Sequence, residues 1–210
     1  MAIISKATIE RLSIYCMYLK RLLNRNGSNR HISSYELGRE VGASAAQVRK
    51  DLSYFGNFGC KGVGYDIENL EKKLEEIIGF TKKWEIALVG AGNLGTALVN
   101  YKNFRDLGLN IDAVFDCDLA KIGNTIGGIM VRSVKDMEQV IREKNIKVGI
   151  IAVPADDAQE IAEKLVAAGV RAIWNFAPVS LKLPDDIILS SEYLLPGLAS
   201  LVFCLNNKIN

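Results

Sequence analysis

Three glycines in the middle of the chain have the spacing of a loop that binds a dinucleotide. The segment 90–95 reads Gly-Ala-Gly-Asn-Leu-Gly and directly follows the apolar run 85–89. In such a loop Gly90 permits a tight turn, Gly92 lets backbone amides reach a pyrophosphate, and Gly95 lets a helix pack closely on a strand. The segment therefore predicts dinucleotide contacts from Gly90, Ala91, Gly92, Asn93, Leu94 and Gly95.

An acidic residue at the end of the next predicted strand completes this motif. Asp116 follows Gly95 by 21 residues, the spacing at which a carboxylate accepts hydrogen bonds from ribose hydroxyls. Its negative charge would repel the additional phosphate of NADP, and no arginine adjoins it in the sequence. We therefore predict that the ligand is NADH or NAD⁺. Tyr101 is predicted to lie beside the cofactor or to pack against its neighbours.

The second part of the chain alternates short apolar runs with helical segments, which predicts a parallel sheet. The runs 85–89, 112–115, 148–153 and 172–174 are read as buried strands. An α/β domain of this kind is a doubly wound, Rossmann-type fold, in which ligands bind at the carboxyl ends of the strands. The pattern alone leaves open a domain that binds another nucleotide, coenzyme A for instance, or none.

The first part of the chain has the outline of a helix-turn-helix. A first helix, predicted to end near Gly27, has one apolar face formed by Ile9, Leu12, Cys16, Leu19 and Leu23. Two shorter helices are predicted to begin at capping boxes, Ser33 with Glu36 and Ser44 with Gln47. Only a short glycine turn separates them, as in a helix-turn-helix.

A glycine-rich and aromatic stretch after these helices predicts a wing. Residues 55–65 suit a tight β-hairpin better than a helix. Asp66 can cap a further helix that ends at Gly79. We therefore predict a winged helix-turn-helix domain over residues 1–80 and a Rossmann domain over residues 81–210.

Charge is distributed unevenly along the chain. The formal net charge is +2, but residues 1–64 hold 10 Lys and Arg against 4 Asp and Glu, whereas the remaining residues hold 16 against 20. A basic segment joined to a mildly acidic one is typical of a nucleic-acid-binding domain with a second domain attached. The predicted recognition helix turns Val48 and Leu52 to the core and offers DNA the side chains of Gln47, Arg49, Lys50 and Ser53. Lys61, at the hairpin tip, could enter a minor groove, although a solvated basic face is the alternative.

Composition excludes several other classes of protein. The chain is 49% hydrophobic and 24% charged, as in folded proteins, and apolar runs such as 148–154 are too short to span a membrane. Without the apolar core of a signal peptide, we expect a cytoplasmic protein. Four scattered cysteines and one histidine predict neither disulfides nor a metal site. Residues 84–210 contain no histidine, and His31, just before a capping box, is interpreted as a side chain beside a helix cap. We therefore expect that the protein is not an enzyme.

Sequence strings along the whole chain resemble the redox-sensing transcriptional repressor family Rex. The strings are 48–56 (VRKDLSYFG), 61–65 (KGVGY), 90–95 (GAGNLG), 115–116 (FD), 121–123 (KIG), 152–154 (AVP) and 175–178 (NFAP). The resemblance implies a homodimer whose winged-helix domains bind a palindromic operator with TTGTGA-like half-sites, and whose Rossmann domains hold NADH or NAD⁺. It implies that NADH releases the operator and that a C-terminal helix, here the apolar run 194–203, is exchanged between subunits.

Pattern and resemblance together define the predicted contacts. The DNA contacts are Ser44, Gln47, Arg49, Lys50, Ser53, Tyr54, Lys61 and Gly62. The cofactor contacts outside the glycine loop are Tyr101, Asp116, Lys121, Ala152, Val153, Pro154, Asn175, Phe176, Ala177 and Pro178. NAD⁺ carries a charged nicotinamide ring and NADH a neutral one, so a largely apolar ring pocket would favour NADH.

Two positions depart from the family pattern. Many relatives carry an arginine in the first helix and an aspartate at the start of the last helix, where this chain has Met17 and Tyr193, or Glu192 if the alignment shifts by one residue. Three other functions stay open: an oxidoreductase, a thiol sensor that uses Cys60 or Cys117, and a module that binds coenzyme A.

Overall fold

The computed structural model describes residues 4–25 and 30–207. These residues divide into two compact units between Lys82 and Lys83. This division lies close to the boundary predicted at residue 80. Within those described ranges, no helix is both long enough and apolar enough to cross a membrane.

The first unit combines helices with a small antiparallel sheet. In chain order its elements are α1 (Lys6–Asn24), β1 (His31–Ile32), α2 (Ser34–Val41), α3 (Ala45–Ser53), β2 (Gly59–Cys60), β3 (Gly64–Asp66) and α4 (Ile67–Ile78). The sheet order is β1-β3-β2, with both pairs antiparallel. The helix-turn-helix α2–α3 and the wing hairpin β2–β3 are therefore confirmed. The predicted end of the first helix, near Gly27, lies outside the described residues.

Side-chain caps fix where the short helices begin. The Ser33 hydroxyl accepts from the amide of Glu36, and the Glu36 carboxylate accepts from the amide of Ser33, so the first predicted capping box is confirmed. Ser44 caps α3 by accepting from the amide of Gln47. The prediction of a second capping box is nevertheless wrong, because the Gln47 side chain donates to Asp51 at 2.8 Å instead of reaching back to Ser44.

One apolar core holds the first unit together. Its buried side chains come from α1, α3, α4 and the wing and include Leu12, Tyr15, Cys16, Leu19, Val48, Leu52, Tyr65, Leu70 and Leu74. Ile9 and Leu23, predicted on the same face of α1, are exposed. They lie near the ends of α1, whose 19 residues extend beyond the 12 of its main partner α4.

The second unit is a parallel sheet with helices on its faces. In chain order its elements are β4 (Trp84–Val89), α5 (Asn93–Val99), α6 (Lys102–Asp106), β5 (Leu109–Asp116), β6 (Thr125–Ile126), β7 (Ile129–Ser133), a 3-10 turn (Val134–Asp136), α7 (Met137–Glu143), β8 (Val148–Ile151), α8 (Ala155–Ala168), β9 (Ala172–Asn175), β10 (Ile188–Ser191) and α9 (Leu194–Asn207). The strand order is β10-β9-β8-β4-β5-β7-β6, and among the described pairs of this second sheet only β6 with β7 is antiparallel.

The sheet order confirms the doubly wound fold. The chain starts at β4, adds strands on one side through β5 and β7, and then crosses to β8 on the other side of β4. The order therefore reverses between β4 and β8, and ligands of such sheets bind at this reversal. The strand predicted over residues 148–153 ends at Ile151, so Ala152 and Val153 lie in the loop that follows.

Helix α9 leaves its large apolar side chains uncovered. It runs over Leu194–Asn207, and its exposed residues include Leu195, Leu198, Leu201, Val202, Phe203 and Leu205. A surface of this size and character is typical of an interface rather than of a face that stays in water.

Candidate functional site

The glycine loop after β4 has the strained backbone that the motif requires. Gly90 has φ 106°, and a Cβ added there would collide with the backbone oxygen of Ala152. A Cβ added at Gly95 would collide with the backbone oxygen of Gly90, so helix α5 packs closely on the loop. Gly92 has an ordinary φ of −83°, and a Cβ added there would meet no described atom within 4 Å. Space beside Gly92 is thus open for a ligand.

Asp116, at the end of β5, is tied to this loop. Its side chain is 6% exposed, and its carboxylate accepts from the amide of Ala91 at 2.8 Å and from the amide of Asp118 at 2.9 Å. Lys121 adds an ion pair at 3.1 Å. Burial alone would raise the pKa of Asp116, but the two amides and the Lys121 ammonium outweigh burial and hold its pKa below the ordinary value. Asp116 is therefore an anion that braces the loop.

Lys121 changes the electrostatics predicted for this position. The sequence showed no arginine beside Asp116, but the turn after β5 brings the ammonium of Lys121 next to its carboxylate. The hydrogen bond to Asp116 raises the pKa of Lys121, which therefore stays charged. A ligand would meet an ion pair here rather than an isolated negative charge.

A cavity of about 590 Å³ lies beside the ends of β5 and β7. Apolar side chains form much of its wall, among them Leu119, Ile122, Val134 and Met137. Cys117 also lines it, directly after Asp116. Its size and position suit a flat heterocycle attached to a ribose at Asp116.

The loop after β9 is organised by the side chain of Asn175. The Asn175 side chain is 0% exposed, accepts from the amide of Ala177 at 3.0 Å, and donates to the carbonyls of Ala177 at 3.1 Å and Val179 at 3.2 Å. Its polar atoms are thus engaged within its own loop, and its contact with a cofactor stays a prediction. Ala177 is buried, whereas Pro178 is exposed.

A row of aromatic rings stands near the carboxyl ends of the strands. Ring centroids are 4.9 Å apart for Tyr101 and Phe104, 6.0 Å for Phe104 and Trp174, and 4.5 Å for Trp174 and Phe176. The predicted residues Tyr101 and Phe176 therefore belong to one connected apolar surface. In the loop after β8, Ala152 and Val153 are half-buried beside Gly90, and Pro154 is exposed at the start of α8.

The recognition helix α3 presents four residues outward. Ala46, Arg49, Lys50 and Ser53 are exposed, as is Tyr54 directly after the helix. Gln47 is half-buried and donates to Asp51, and its DNA contact stays a prediction. The Ser53 hydroxyl donates to the carbonyl of Lys50 at 2.8 Å. Ala46 is a residue that the sequence analysis missed, since only polar side chains were considered, although a methyl group can contact thymine.

A groove of about 550 Å³ separates α3 from the wing. Arg49 and Ser53 line one side, and Lys61 and Gly62, at the tip of the hairpin, line the other. Arg49 donates to the hydroxyl of Ser34 at 3.0 Å, which directs its guanidinium into the groove. Two cations therefore flank a space that is open to an anionic polymer.

Asp51 is the other residue that the sequence analysis missed. It is 0% exposed and binds Arg11, Tyr15 and Gln47. Burial would raise its pKa, but hydrogen bonds from Arg11, Gln47 and Tyr15 outweigh burial and lower it. The sequence did indicate that Asp51 is buried, since Asp51 lies three residues after Val48 and next to Leu52, on the face of the helix predicted to pack in the core.

The cysteines are free thiols in different surroundings. Cys60 in the wing and Cys117 beside the cavity are exposed. Cys16 is buried, and burial raises its pKa to about 12. The thiol-sensor alternative therefore rests on Cys60 and Cys117 only.

The fold and the two sites define a class: DNA-binding regulators in which a winged helix-turn-helix unit precedes a dinucleotide-binding unit. Family models match both parts, one described as a putative DNA-binding protein N-terminus over residues 3–53 and one as a CoA binding domain over residues 81–179. Curated relatives cover nearly the whole chain. The chain belongs to the Rex family of redox-sensing transcriptional repressors, whose members are regulators rather than enzymes.

Two of these relatives show the extent of the similarity. The Rex repressor of Desulforamulus reducens is 48% identical over 98% of this chain and 97% of its own length. That of Carboxydothermus hydrogenoformans is 46% identical over 95% of each chain.

Solved structures agree with this assignment. RSP, a Rex-family repressor, has been solved with β-NAD⁺ and operator DNA; that structure has a TM-score of 0.90 and 40% identity, over 99% of this chain and 95% of that one. The structure of RSP with β-NADH has a TM-score of 0.86 and 39% identity, over 99% of this chain and 97% of that one.

Proposed function

We propose that this chain binds a palindromic operator as a homodimer, represses transcription there, and releases the DNA when NADH binds. The observation that carries the proposal is the similarity, over 99% of the chain, to a repressor solved with NAD⁺ and operator DNA and also with NADH. Residues 1–80 would form the DNA-binding domain and residues 81–210 the cofactor-binding and dimerisation domain.

The second unit offers a surface for each part of the dinucleotide. The open space beside Gly92 takes the pyrophosphate, and the Asp116–Lys121 pair faces the adenosine ribose. The cavity at the ends of β5 and β7 takes the adenine. The aromatic row from Tyr101 to Phe176 offers an apolar surface to the nicotinamide, which favours the neutral ring of NADH over the cationic ring of NAD⁺.

The first unit offers a face that fits a DNA groove. Arg49 and Lys50 can donate to guanine or to phosphate, and Ala46 can contact a thymine methyl group. Lys61 at the wing tip adds a cation that suits a narrow minor groove. Together these groups explain why the first unit is the basic part of the chain.

Release of DNA follows from thermodynamic linkage. A ligand shifts a two-state protein only through its different affinities for the two states. NADH must therefore bind more tightly to the state with low DNA affinity. Moving the balance from 1:99 to 99:1 takes about 5.5 kcal/mol, which two sites in a dimer can share.

The dimer is proposed from the uncovered apolar residues of α9. A second copy of the chain, with α9 exchanged between subunits, would bury this surface and would match the two-fold symmetry of a palindrome. Since the ligand is chromosomal DNA, we place the protein in the cytoplasm.

Coenzyme A is a second candidate for the nucleotide. The observation that favours it is the description of the family model over residues 81–179 as a CoA binding domain. Both molecules contain adenosine and a pyrophosphate, so the glycine loop accepts either. Coenzyme A lacks a nicotinamide and carries a phosphate on its ribose, so the Asp116 carboxylate disfavours it.

The proposal is tested by anisotropy with a fluorescent duplex that contains two inverted TTGTGA half-sites. NADH should lower the affinity for this duplex, whereas NAD⁺ and coenzyme A should not. A scrambled duplex of equal length serves as the control. Equal affinity for both duplexes, or release by coenzyme A alone, would contradict the proposed function.

A further inference from the structure

We propose that Asp51 is the positioning residue of the recognition helix: by binding Asp51, α1 fixes the rotation of α3 about its own axis and so determines which side chains meet DNA. Asp51 itself would not touch DNA, because its side chain is fully buried. This inference rests on the proposed function, since it requires α3 to read an operator.

Four directional hydrogen bonds converge on the Asp51 carboxylate. Arg11 on α1 donates through Nε to Oδ2 and through Nη2 to Oδ1, each at 2.7 Å, and the Tyr15 hydroxyl donates to Oδ2 at 2.9 Å. Gln47 on α3 donates to Oδ1 at 2.8 Å. Each oxygen thus accepts two bonds, and the planar fork of Arg11 constrains the orientation of the carboxylate as well as its position.

The apolar contacts of α3 do not provide this constraint. The helix has nine residues and inserts Val48 and Leu52 into the core. Hydrophobic burial is non-directional, so two such side chains tolerate a helix that rolls about its axis. Well-packed apolar residues often give a buried position as much stability as an ion pair gives it. The ionic cluster is therefore better explained by the orientation that it imposes.

Fixing one face of α3 fixes the opposite face. Successive helical residues are about 100° apart, so Asp51 toward α1 places Ala46, Arg49 and Ser53 on the far side and Lys50 on the exposed flank. Gln47, one turn before Asp51, is drawn inward by the same carboxylate. If the helix rolled, Lys50 would leave the position from which it reaches a base edge, and Arg49 the position from which it reaches a phosphate.

The test compares the affinities of full-length variants for the operator duplex and for the scrambled duplex. Asp51→Asn keeps the size of the side chain but removes its charge and one acceptor. Loss of a negative charge alone would strengthen binding to every duplex. We expect the operator-to-scrambled affinity ratio to fall by about tenfold or more, with scrambled binding unchanged or tighter.

Glu68→Gln is the matched control. Its side chain is exposed on α4, and the substitution changes the net charge by the same amount. We expect the affinity ratio of this variant to equal that of the unaltered protein. A variant that merely unfolds in part would lose affinity for both duplexes by the same fraction, so the ratio separates positioning from loss of structure.

Tyr15→Phe keeps the Asp51 charge and removes one of the four donors. It should lower the ratio by a smaller factor, about threefold. If Asp51→Asn does not fold, Tyr15→Phe and Arg11→Lys decide the question. If the operator-to-scrambled affinity ratio of every folded variant lay within twofold of that of the unaltered protein, the inference would be overturned but the proposed function would stand. An unaltered protein without operator preference would overturn both the inference and the proposed function.

Discussion

The amide of Ala91 donates to the Asp116 carboxylate across 2.8 Å, which joins the turn that would hold a pyrophosphate to the strand end that would hold a ribose. One side chain therefore has two tasks. It stabilises the glycine loop, and under the proposed function it would also supply the charge that selects among dinucleotides.

Asp116→Ala should weaken NADH binding and relax the preference for NADH over NADPH by about tenfold or more. The substitution removes the repulsion of a 2′-phosphate and frees the ammonium of Lys121 to bind that phosphate. Calorimetric titration with both nucleotides measures the change. Lys121→Ala in the Asp116→Ala background should abolish the gain in NADPH affinity, and Asp112→Ala on the same strand is the control for charge. An unchanged preference would move the selective acidic residue elsewhere, for example to Asp118.

Gly92→Val should impair ligand binding, whereas Gly95→Val should lower the stability of the fold. Gly92 has open space around it and an ordinary φ, so valine there should leave the melting temperature nearly unchanged but block the pyrophosphate. Operator binding should persist and ignore NADH. At Gly95 a side chain collides with the backbone of Gly90, so valine should lower the melting temperature by several degrees or more. Retained NADH binding in Gly92→Val would show that the pyrophosphate lies elsewhere.

Lys50→Ala and Arg49→Ala should separate base reading from phosphate binding. Lys50→Ala should cost about 1–3 kcal/mol on the operator and relax specificity at one position in each half-site. Arg49, which lines the groove beside the wing, should bind phosphate, so Arg49→Ala should weaken all duplexes alike and reduce the salt dependence of binding. Affinities for single-base operator variants at several salt concentrations test both. Uniform losses from both substitutions would contradict the assignment.

Stability of the first unit should fall as pH rises, because of Glu71. The Sγ of Cys16 and carboxylate oxygens of Glu71 and Glu75 lie within 4.8 Å of one another, and Lys20 donates to Glu75 at 2.8 Å. Burial first, then the charge of Glu75, raises the pKa of Glu71 above its ordinary 4.5, although Lys20 and Lys72 oppose this shift. The folded chain thus holds this proton more tightly than the unfolded chain. Its stabilising contribution is complete below the unfolded value and is lost as pH rises through the folded value.

Glu71→Gln should remove this pH dependence, since the amide mimics the protonated acid. Scanning calorimetry between pH 4 and pH 8, a range set by the raised carboxyl pKa, should show a flatter stability profile than that of the unaltered protein. Glu68→Gln, which is exposed on the same helix, should keep the original slope. Equal slopes in all three proteins would mean that another group titrates.

Charge on the exposed face of α9 should abolish the dimer. Leu198, Leu201 and Leu205 share one side of the helix, so Leu198→Asp with Leu205→Asp should give monomers in sedimentation experiments. Operator affinity should then fall by about a hundredfold, because each half-site is bound separately. Gln139→Asp adds a charge at an exposed position of α7 instead of α9 and should leave the dimer intact. Dimers in the double variant would place the interface elsewhere.

Local patterns predicted the fold because its elements depend on residues that are close in sequence. The spacing of Gly90 and Gly95 reflects backbone clashes within one turn, and the caps at Ser33 and Asp66 act over three residues. The double winding follows from the alternation of strands and helices.

The contacts that were missed join distant segments. Arg11 and Asp51 are 40 residues apart, and their pairing decides where Gln47 points, so a helical repeat alone could not reveal it. The hydrogen bonds of Asn175 within its own loop were not predicted for a related reason, because a polar residue at a strand end can bind a ligand, fold its own loop or do both. Lys121 reaches Asp116 only through the conformation of the turn between them.

The aromatic row also gives the protein a built-in optical probe. The chain has two tryptophans, Trp84 at the first residue of β4 and Trp174 near the carboxyl end of β9, so they lie toward opposite ends of the parallel strands. Trp174 contacts Phe104 and Phe176, beside the surface proposed for the nicotinamide. In a Trp84→Phe variant, tryptophan emission would come from that edge alone, and energy transfer to bound NADH would report occupancy of the site without any attached dye.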